Sequence, residues 1–261
     1  MNLVVVLMYH ALYENARGLD AIAPEDRPYA VSTADFARQL DMLRDAAIPV
    51  IDPARLETGK TGGAGVILTF DDGHASNAEL ALPLLAERGL AAAFFVTTGF
   101  IGQRPGYCSW EQLRTLSRAG ILIGGHGHTH RFLSDLAPSE QDFEFSTSRK
   151  LLEENLKQPV KQMSFPGGRF NTPCILRAQA AGFSLLYGSE IGTLQAHMTL
   201  KSTPQPRIAI RARMTDPAFM AYAQARFSRM FVAQIISALK TTTKHVIGNE
   251  FYHRLYSQIK G

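Results

Sequence analysis

Short apolar runs recur along this chain, and the stretches between them carry helical periodicity. That alternation limits the fold more than any other feature. Residues 3–8, 66–70, 93–97, 121–125, 162–165, 184–187 and 207–210 read as strands. Residues 33–46, 76–88, 110–119, 139–157 and 172–181 read as helices between them. In the first helix Phe36, Leu40 and Leu43 share one face, and Ser32 or Thr33 stands where a cap is expected. Gly89, Gly120 and Gly182 follow three of the others as stop signals. Repeated β-α-β units imply parallel strands joined by right-handed crossovers. The number of units predicts an α/β fold, a distorted and closed or nearly closed (β/α) barrel.

The chain has 261 residues, enough for one large domain with a substantial core. Its 46% hydrophobic and 19% charged content is ordinary for a globular protein. A net charge of +4 is too mild to argue for a nucleic-acid partner. The two cysteines, Cys108 and Cys174, fit neither a disulfide framework nor a zinc spacing and read as free thiols. Residues 1–10 lack a positive leading region, and their apolar run is short for a secretory or membrane segment. The expectation is a buried strand and a cytoplasmic protein.

The pattern changes near Asp216, which divides a barrel over residues 1–215 from a C-terminal tail over 216–261. Residues 218–240 read as one long helical stretch. Residues 241–261 are basic and aromatic, with Lys244, His245, Tyr252, His253, Arg254, Tyr256 and Lys260. The tail is expected to pack on the outside of the barrel. A sharper alternative is a basic amphipathic surface that meets a membrane or a partner.

Two segments carry the chemistry, each just after an apolar run. Thr69-Phe70-Asp71-Asp72-Gly73 presents two adjacent carboxylates, whose side chains point apart and so can hold different jobs. Alone it would be an ordinary Asp-Gly turn. His126-Gly127-His128-Thr129-His130 places two imidazoles four residues apart, on one side if the segment makes a helical turn. His126 and His130 are the candidate metal ligands, with His128 pointing elsewhere. A carboxylate plus two histidines makes a three-ligand metal site with an open position and leaves one carboxylate over. In a parallel barrel the loops at the strand C-termini share one face, so the two segments can meet.

These motifs resemble the polysaccharide deacetylase family, also called carbohydrate esterase family 4 or the NodB-homology domain. The first family motif, Thr-Phe-Asp-Asp-Gly, is complete at residues 69–73. The second, His-(Ser/Thr)-x-x-His, appears over 126–130 with Gly127 replacing the hydroxyl residue that usually helps hold the loop. The third, an aromatic segment ending Pro-x-Gly, is matched by Ser164-Phe165-Pro166-Gly167-Gly168, where Ser164 stands in place of the usual arginine. The resemblance runs over roughly residues 1–210.

It implies a deacetylase-type barrel in which Asp72, His126 and His130 bind a divalent metal and Asp71 is the base. Zinc suits those ligands, as would Co2+, Ni2+ or Fe2+. It also implies an oxyanion donor from the Pro166-Gly167-Gly168 turn and an N-acetylated carbohydrate substrate that releases acetate. The usual C-terminal Leu-x-His is not clearly present, since His197 fits it poorly. A branch that this chain resembles carries Tyr-His after its first strand, as Tyr9-His10 does here, so His10 is the candidate general acid, with a structural role as its alternative. Arg207 is the candidate partner of Asp71, with Arg169 as competitor. Trp110, Tyr107 and His74 are candidate cleft residues. A small non-sugar amide as substrate and a non-catalytic binding module on a degenerate barrel are the competing functions. No oligomeric state is read from the sequence.

Overall fold

The structure, a computed structural model, describes residues 2–59, 61–195 and 203–226. Among the described residues there are ten strands: β1 (Leu3–Tyr9), β2 (Leu12–Tyr13), β3 (Val31–Ser32), β4 (Gly65–Phe70), β5 (Ala93–Val96), β6 (Leu122–Gly125), β7 (Gln162–Ser164), β8 (Leu185–Tyr187), β9 (Leu194–Gln195) and β10 (Ile208–Ala209). Seven α-helices accompany them: α1 (Ala16–Ala21), α2 (Thr33–Asp45), α3 (Leu82–Glu87), α4 (Trp110–Arg118), α5 (Pro138–Leu156), α6 (Thr172–Ala180) and α7 (Asp216–Ala223).

The main sheet runs β10-β1-β4-β5-β6-β7-β8, and every neighbouring pair along it is parallel. Residues 205–210 join its two edges. Gln205 pairs with Tyr187 of β8, while Ile208 and Ala209 pair with Leu7 and Met8 of β1. The Gln205 N–H donates to Leu186 O at 2.7 Å and the Ile210 N–H to Met8 O at 2.9 Å. The sheet therefore curls round on itself, and the fold is the expected distorted (β/α) barrel.

The strands are legible because they are buried on both faces. Every residue of β4, β5 and β8 is buried, which yields the largely apolar runs read there; β7 is buried too, although Gln162 and Ser164 flank its one apolar residue. Val4, Val6, Ile67, Phe95, Leu185 and Tyr187 form one core cluster, joined by Ile51 and Leu56. Helix caps follow the sequence signals. The Ser32 side chain accepts from the Asp35 N–H to open α2, which buries Phe36, Leu40 and Leu43. Ser109 and Gln112 form a reciprocal capping box on α4.

Four elements are not expected from the sequence: the strands β2 and β3, which pair in parallel, the helix α1, and the antiparallel β9 on β1. Two-residue strands are too short to show a period. The helix expected over residues 218–240 is corrected: α7 ends at Ala223, and Ala225 adopts a left-handed φ of 52°. Residues from 227 on, with the basic tail, and His197 lie outside the described residues. Among the described residues, no helix is long and apolar enough to cross a membrane.

Strand register sets the site. Tyr9 stands opposite Phe70, so the next residues, His10 and Asp71, leave the ends of adjacent strands side by side. Gly125 stands opposite Met163, which brings His126 beside Ser164. Gly124 is needed for this close approach. A Cβ there would lie 2.5 Å from Phe95 Cδ1 and 2.7 Å from the Gln162 carbonyl oxygen. Gly124→Ala is expected to lower the unfolding free energy by about 1–3 kcal/mol, as overpacking does, read as a shifted denaturation midpoint with an unchanged slope.

Candidate active site

Asp71 and Asp72 follow β4 directly, and His126 follows β6 directly. Asp72 Oδ1 lies 3.3 Å from His126 Nε2 and 3.1 Å from His130 Nε2. It is buried, yet neither contact has hydrogen-bond geometry, so the oxygen has no hydrogen-bond partner. Among the described residues this is the one group of three or more His, Cys, Asp and Glu whose ligand atoms converge, all within 4.8 Å of one another. His126 Nδ1 is engaged with the Ser164 carbonyl at 2.9 Å, which fixes the ring and leaves Nε2 facing Asp72.

The helical-turn reading of the histidine spacing is corrected. Residues 126–130 are a loop, with left-handed backbone at Gly127 (φ 72°) and His130 (φ 64°). Asp72 is left-handed too, at φ 74°, and is followed by Gly73 at φ 84°. A Cβ at Gly73 would meet Val96 at 2.9 Å, so the Asp-Gly turn is required here by contact as well as by torsion.

Asp71 is held by Arg207, which is wholly buried. Arg207 Nη1 donates to Asp71 Oδ1 and Nη2 to Asp71 Oδ2, both at 2.7 Å. Nη2 also donates to Ser164 Oγ at 2.6 Å, and Nε to the Gly188 carbonyl at 2.8 Å. Ser164 Oγ in turn donates to Asp71 Oδ2 at 3.1 Å. Arg169 is not this partner; it stacks over Phe132 at 4.1 Å and lies 3.6 Å from Asp135. Burial pushes the Asp71 carboxyl upward, but the Arg207 charge, His126 and the Arg207 hydrogen bonds outweigh it and hold it below the ordinary value. Asp72 is likewise pushed up by burial and brought well below its ordinary value by the two imidazoles. Ser164 was noticed in the sequence only as a missing arginine. In the structure its small side chain shares the place where guanidinium and carboxylate meet.

His10 faces the same charges. Burial lowers its pKa, while Asp72 and Asp71 pull it back up. Its ring packs against Tyr29 at 4.9 Å, and Nδ1 has no hydrogen-bond partner among the described residues. In the Pro166-Gly167-Gly168 turn, Pro166 has no N–H to offer, and the Gly168 N–H is spent on the Phe165 carbonyl at 2.8 Å. That leaves Gly167 as the turn's donor. His128 points away, with Nδ1 at 2.9 Å from Thr98 Oγ1 and its ring against Phe143. His74 bonds Ser76 Oγ at 2.7 Å. Tyr107 packs on Phe100, whose ring lies 6.0 Å from that of His130, whereas half-buried Trp110 opens α4 and faces Gly102.

Residues 58–186 match the family model described as polysaccharide deacetylase. The chain belongs to this family. The matched span includes both carboxylates, both imidazoles and the Pro166 turn, while His10 and Arg207 lie outside it. Among relatives, YxkH of Bacillus subtilis (strain 168) is 25% identical over 225 residues, covering 84% of this chain and 76% of its own. Solved structures of the deacetylase fold superpose well. IcaB from Ammonifex degensii gives a TM-score of 0.71 at 26% identity, over 86% of this chain and 98% of its own. The Streptococcus pyogenes deacetylase PplD, solved with acetate, gives 0.72 at 22% identity over 85% and 98%, a likeness of fold.

The two carboxylates make a stability prediction for this family member. Asp71 and Asp72 hold protons less tightly folded than unfolded. Their contribution is therefore complete above the unfolded value near ~3.9 and is lost as pH falls through it toward the lower folded values. Denaturant midpoints of chelator-treated protein should fall steeply below about pH 4. Arg207→Ala should cost about 3–5 kcal/mol at pH 7, because it leaves Asp71 buried without its counter-charge.

Proposed function

We propose that this chain removes the acetyl group from an N-acetylated sugar of a polysaccharide, an oligosaccharide or a precursor of one, releasing acetate, with a divalent metal ion as cofactor. The observation that carries the reading is the convergence of Asp72, His126 and His130 beside Asp71. The donor set fits such an ion. A buried carboxylate oxygen stands without a partner between two imidazole nitrogens, and one carboxylate with two histidines leaves a position open. Zinc is the favoured ion, with Co2+, Ni2+ and Fe2+ compatible with the same ligands. When bound, a divalent ion supplies Lewis-acid charge to the amide carbonyl and lowers the pKa of water.

The remaining steps fall to the chain's own side chains. Asp71 takes the proton from the attacking water. Its Oδ2 lies 4.0 Å from His126 Nε2, on the side of the metal ligands, and the pairing with Arg207 keeps it charged and correctly turned. A carboxylate has about four lone-pair sites; Arg207 and Ser164 take both on Oδ2 and Arg207 one on Oδ1, so one on Oδ1 remains for water. The Gly167 N–H is the proposed donor to the oxyanion that forms at the carbonyl. His10, beside Asp71 at the end of the adjacent strand, gives the leaving amine its proton. Phe100 lies beside His130 and Tyr29 beside His10, and aromatic rings at the rim of the site favour a carbohydrate over a small amide.

The test is acetate release from a panel of N-acetylated sugars and oligosaccharides, using protein stripped by chelator and then given zinc or cobalt. Release that requires the added metal is expected; none from any substrate with metal loaded overturns the reading. Asp71→Asn should lower turnover by roughly 10²–10⁴-fold with its zinc content unchanged. Similarly, His10→Ala should lose about 10²–10⁴-fold in turnover with metal retained. Full turnover in that variant would return His10 to a structural role.

A further inference from the structure

The loop that carries both imidazoles has no side chain at Gly127 with which to brace itself. Its bracing comes from two neighbouring elements. On the β5 side, the Thr98 and Gly99 N–H groups donate to the Gly127 and His128 carbonyls at 3.2 and 2.8 Å. On the α5 side stands Glu144, only 2% exposed. Its Oε2 accepts from the His128 N–H at 2.6 Å and from the Thr129 N–H at 3.0 Å. Its Oε1 accepts from the Thr129 hydroxyl.

A buried carboxylate is costly unless its hydrogen-bond capacity is met. Among the described residues, the hydrogen bonds to the Glu144 carboxylate all come from the two residues that immediately precede His130. The helix itself docks by other means. Phe145, Ser148 and Leu152 are buried on the same face, and Gln141 Nε2 donates to the Leu133 and Leu136 carbonyls, both at 3.0 Å. The Glu144 carboxylate is thus not needed to seat α5, and its geometry is directed at the loop. His130 sits at the loop's end in a left-handed conformation that its own torsional preference does not favour.

We infer that Glu144 is a positioning residue for the metal centre: it clamps the backbone at His128 and Thr129 so that His130 Nε2 is held against Asp72 Oδ1. This rests on the metal reading proposed above. It assigns to a helix residue, sixteen positions from His128, the support that a hydroxyl at position 127 would otherwise give.

The experiment measures zinc affinity of the full chain by competition with a chromophoric chelator, and the visible absorption spectrum of the cobalt-substituted protein. Wild type, Glu144→Ala, Glu144→Gln and Leu152→Ala are compared, each with its metal-free melting temperature. Glu144→Ala should bind zinc about 10–100-fold more weakly, the usual effect of losing a group that orients a ligand, and should show an altered cobalt spectrum. Glu144→Gln keeps the volume and one acceptor oxygen, so it should fall between wild type and Glu144→Ala; it decides the matter if the alanine variant does not fold. Leu152→Ala loosens the same helix without touching the loop, and should melt earlier yet keep wild-type zinc affinity. A folded Glu144 variant with wild-type affinity and spectrum overturns the inference. So does a Leu152→Ala protein that loses affinity as much as Glu144→Ala does. A wild-type chain that takes up neither zinc nor cobalt overturns the metal reading itself, and this inference with it.

Discussion

The contact between Arg207 and Asp71 ties the fold to the site. A guanidinium has five N–H donors and no acceptor, and here all five are placed. Nε serves the Gly188 carbonyl; Nη1 serves Asp71 Oδ1 and, at 3.3 Å, Thr69 Oγ1; Nη2 serves Asp71 Oδ2 and Ser164 Oγ. The partners come from β4, β7 and the end of β8. Arg207 itself lies on the segment that joins β8 to β1. One short stretch of chain therefore closes the barrel and neutralises a carboxylate in its interior. Neither charge would be tolerable there alone.

Backbone strain marks the same place. Asp72 and His130 are two of five described non-glycine residues with positive φ. Left-handed backbone costs a residue with a Cβ on the order of 1–2 kcal/mol, so two such residues facing each other need strong local bonding to persist. The Asp72 carbonyl accepts from the Thr97 N–H at 3.2 Å, and the Gly73 carbonyl from the Cys108 N–H at 2.9 Å. The His130 loop is fastened by Thr98, Gly99 and Glu144. Strain that is this well braced at two adjoining residues is the pattern of a preorganised site.

Much of this was legible in the sequence for a physical reason. Parallel strands buried on both sides are mostly apolar, so β1, β4, β5 and β6 stand out, and Ser32, Gly120 and Gly182 mark helix ends. The meeting of Asp72, His126 and His130 was legible because side chains on two short loops keep a fixed local spacing. The pairing of Arg207 with Asp71 was expected as well, and the structure brings the two together. What failed was local backbone geometry. The four-residue spacing suggested a helical turn, but Gly127 and His130 make a left-handed loop instead. Pro166 was grouped with an oxyanion turn although it has no N–H. The 218–240 helix ignored the turn at Ala225. Ser164 and Glu144 gave little or no signal, because a single polar residue in a strand or helix has no period; only the fold shows what it faces.

Charge counting joins these observations. Arg207 cancels Asp71, which leaves Asp72 as the carboxylate of the centre without a guanidinium partner. In the metal-free protein the nearest compensation is an imidazole. Burial pushes the His130 pKa down, but the Asp72 carboxylate beside it and the Asp71 charge raise it above its ordinary value. A proton on His130 is therefore stabilising below the unfolded value near ~6.5 and is lost as pH rises through the raised folded value. A cation at the same point answers the same unbalanced charge, and it needs the imidazole neutral. On the proposed metal reading, proton and cation compete for one nitrogen. The exchange of arginine for Ser164 at the third motif keeps that balance intact, because the positive charge beside Asp71 is supplied again by Arg207 from the closing segment.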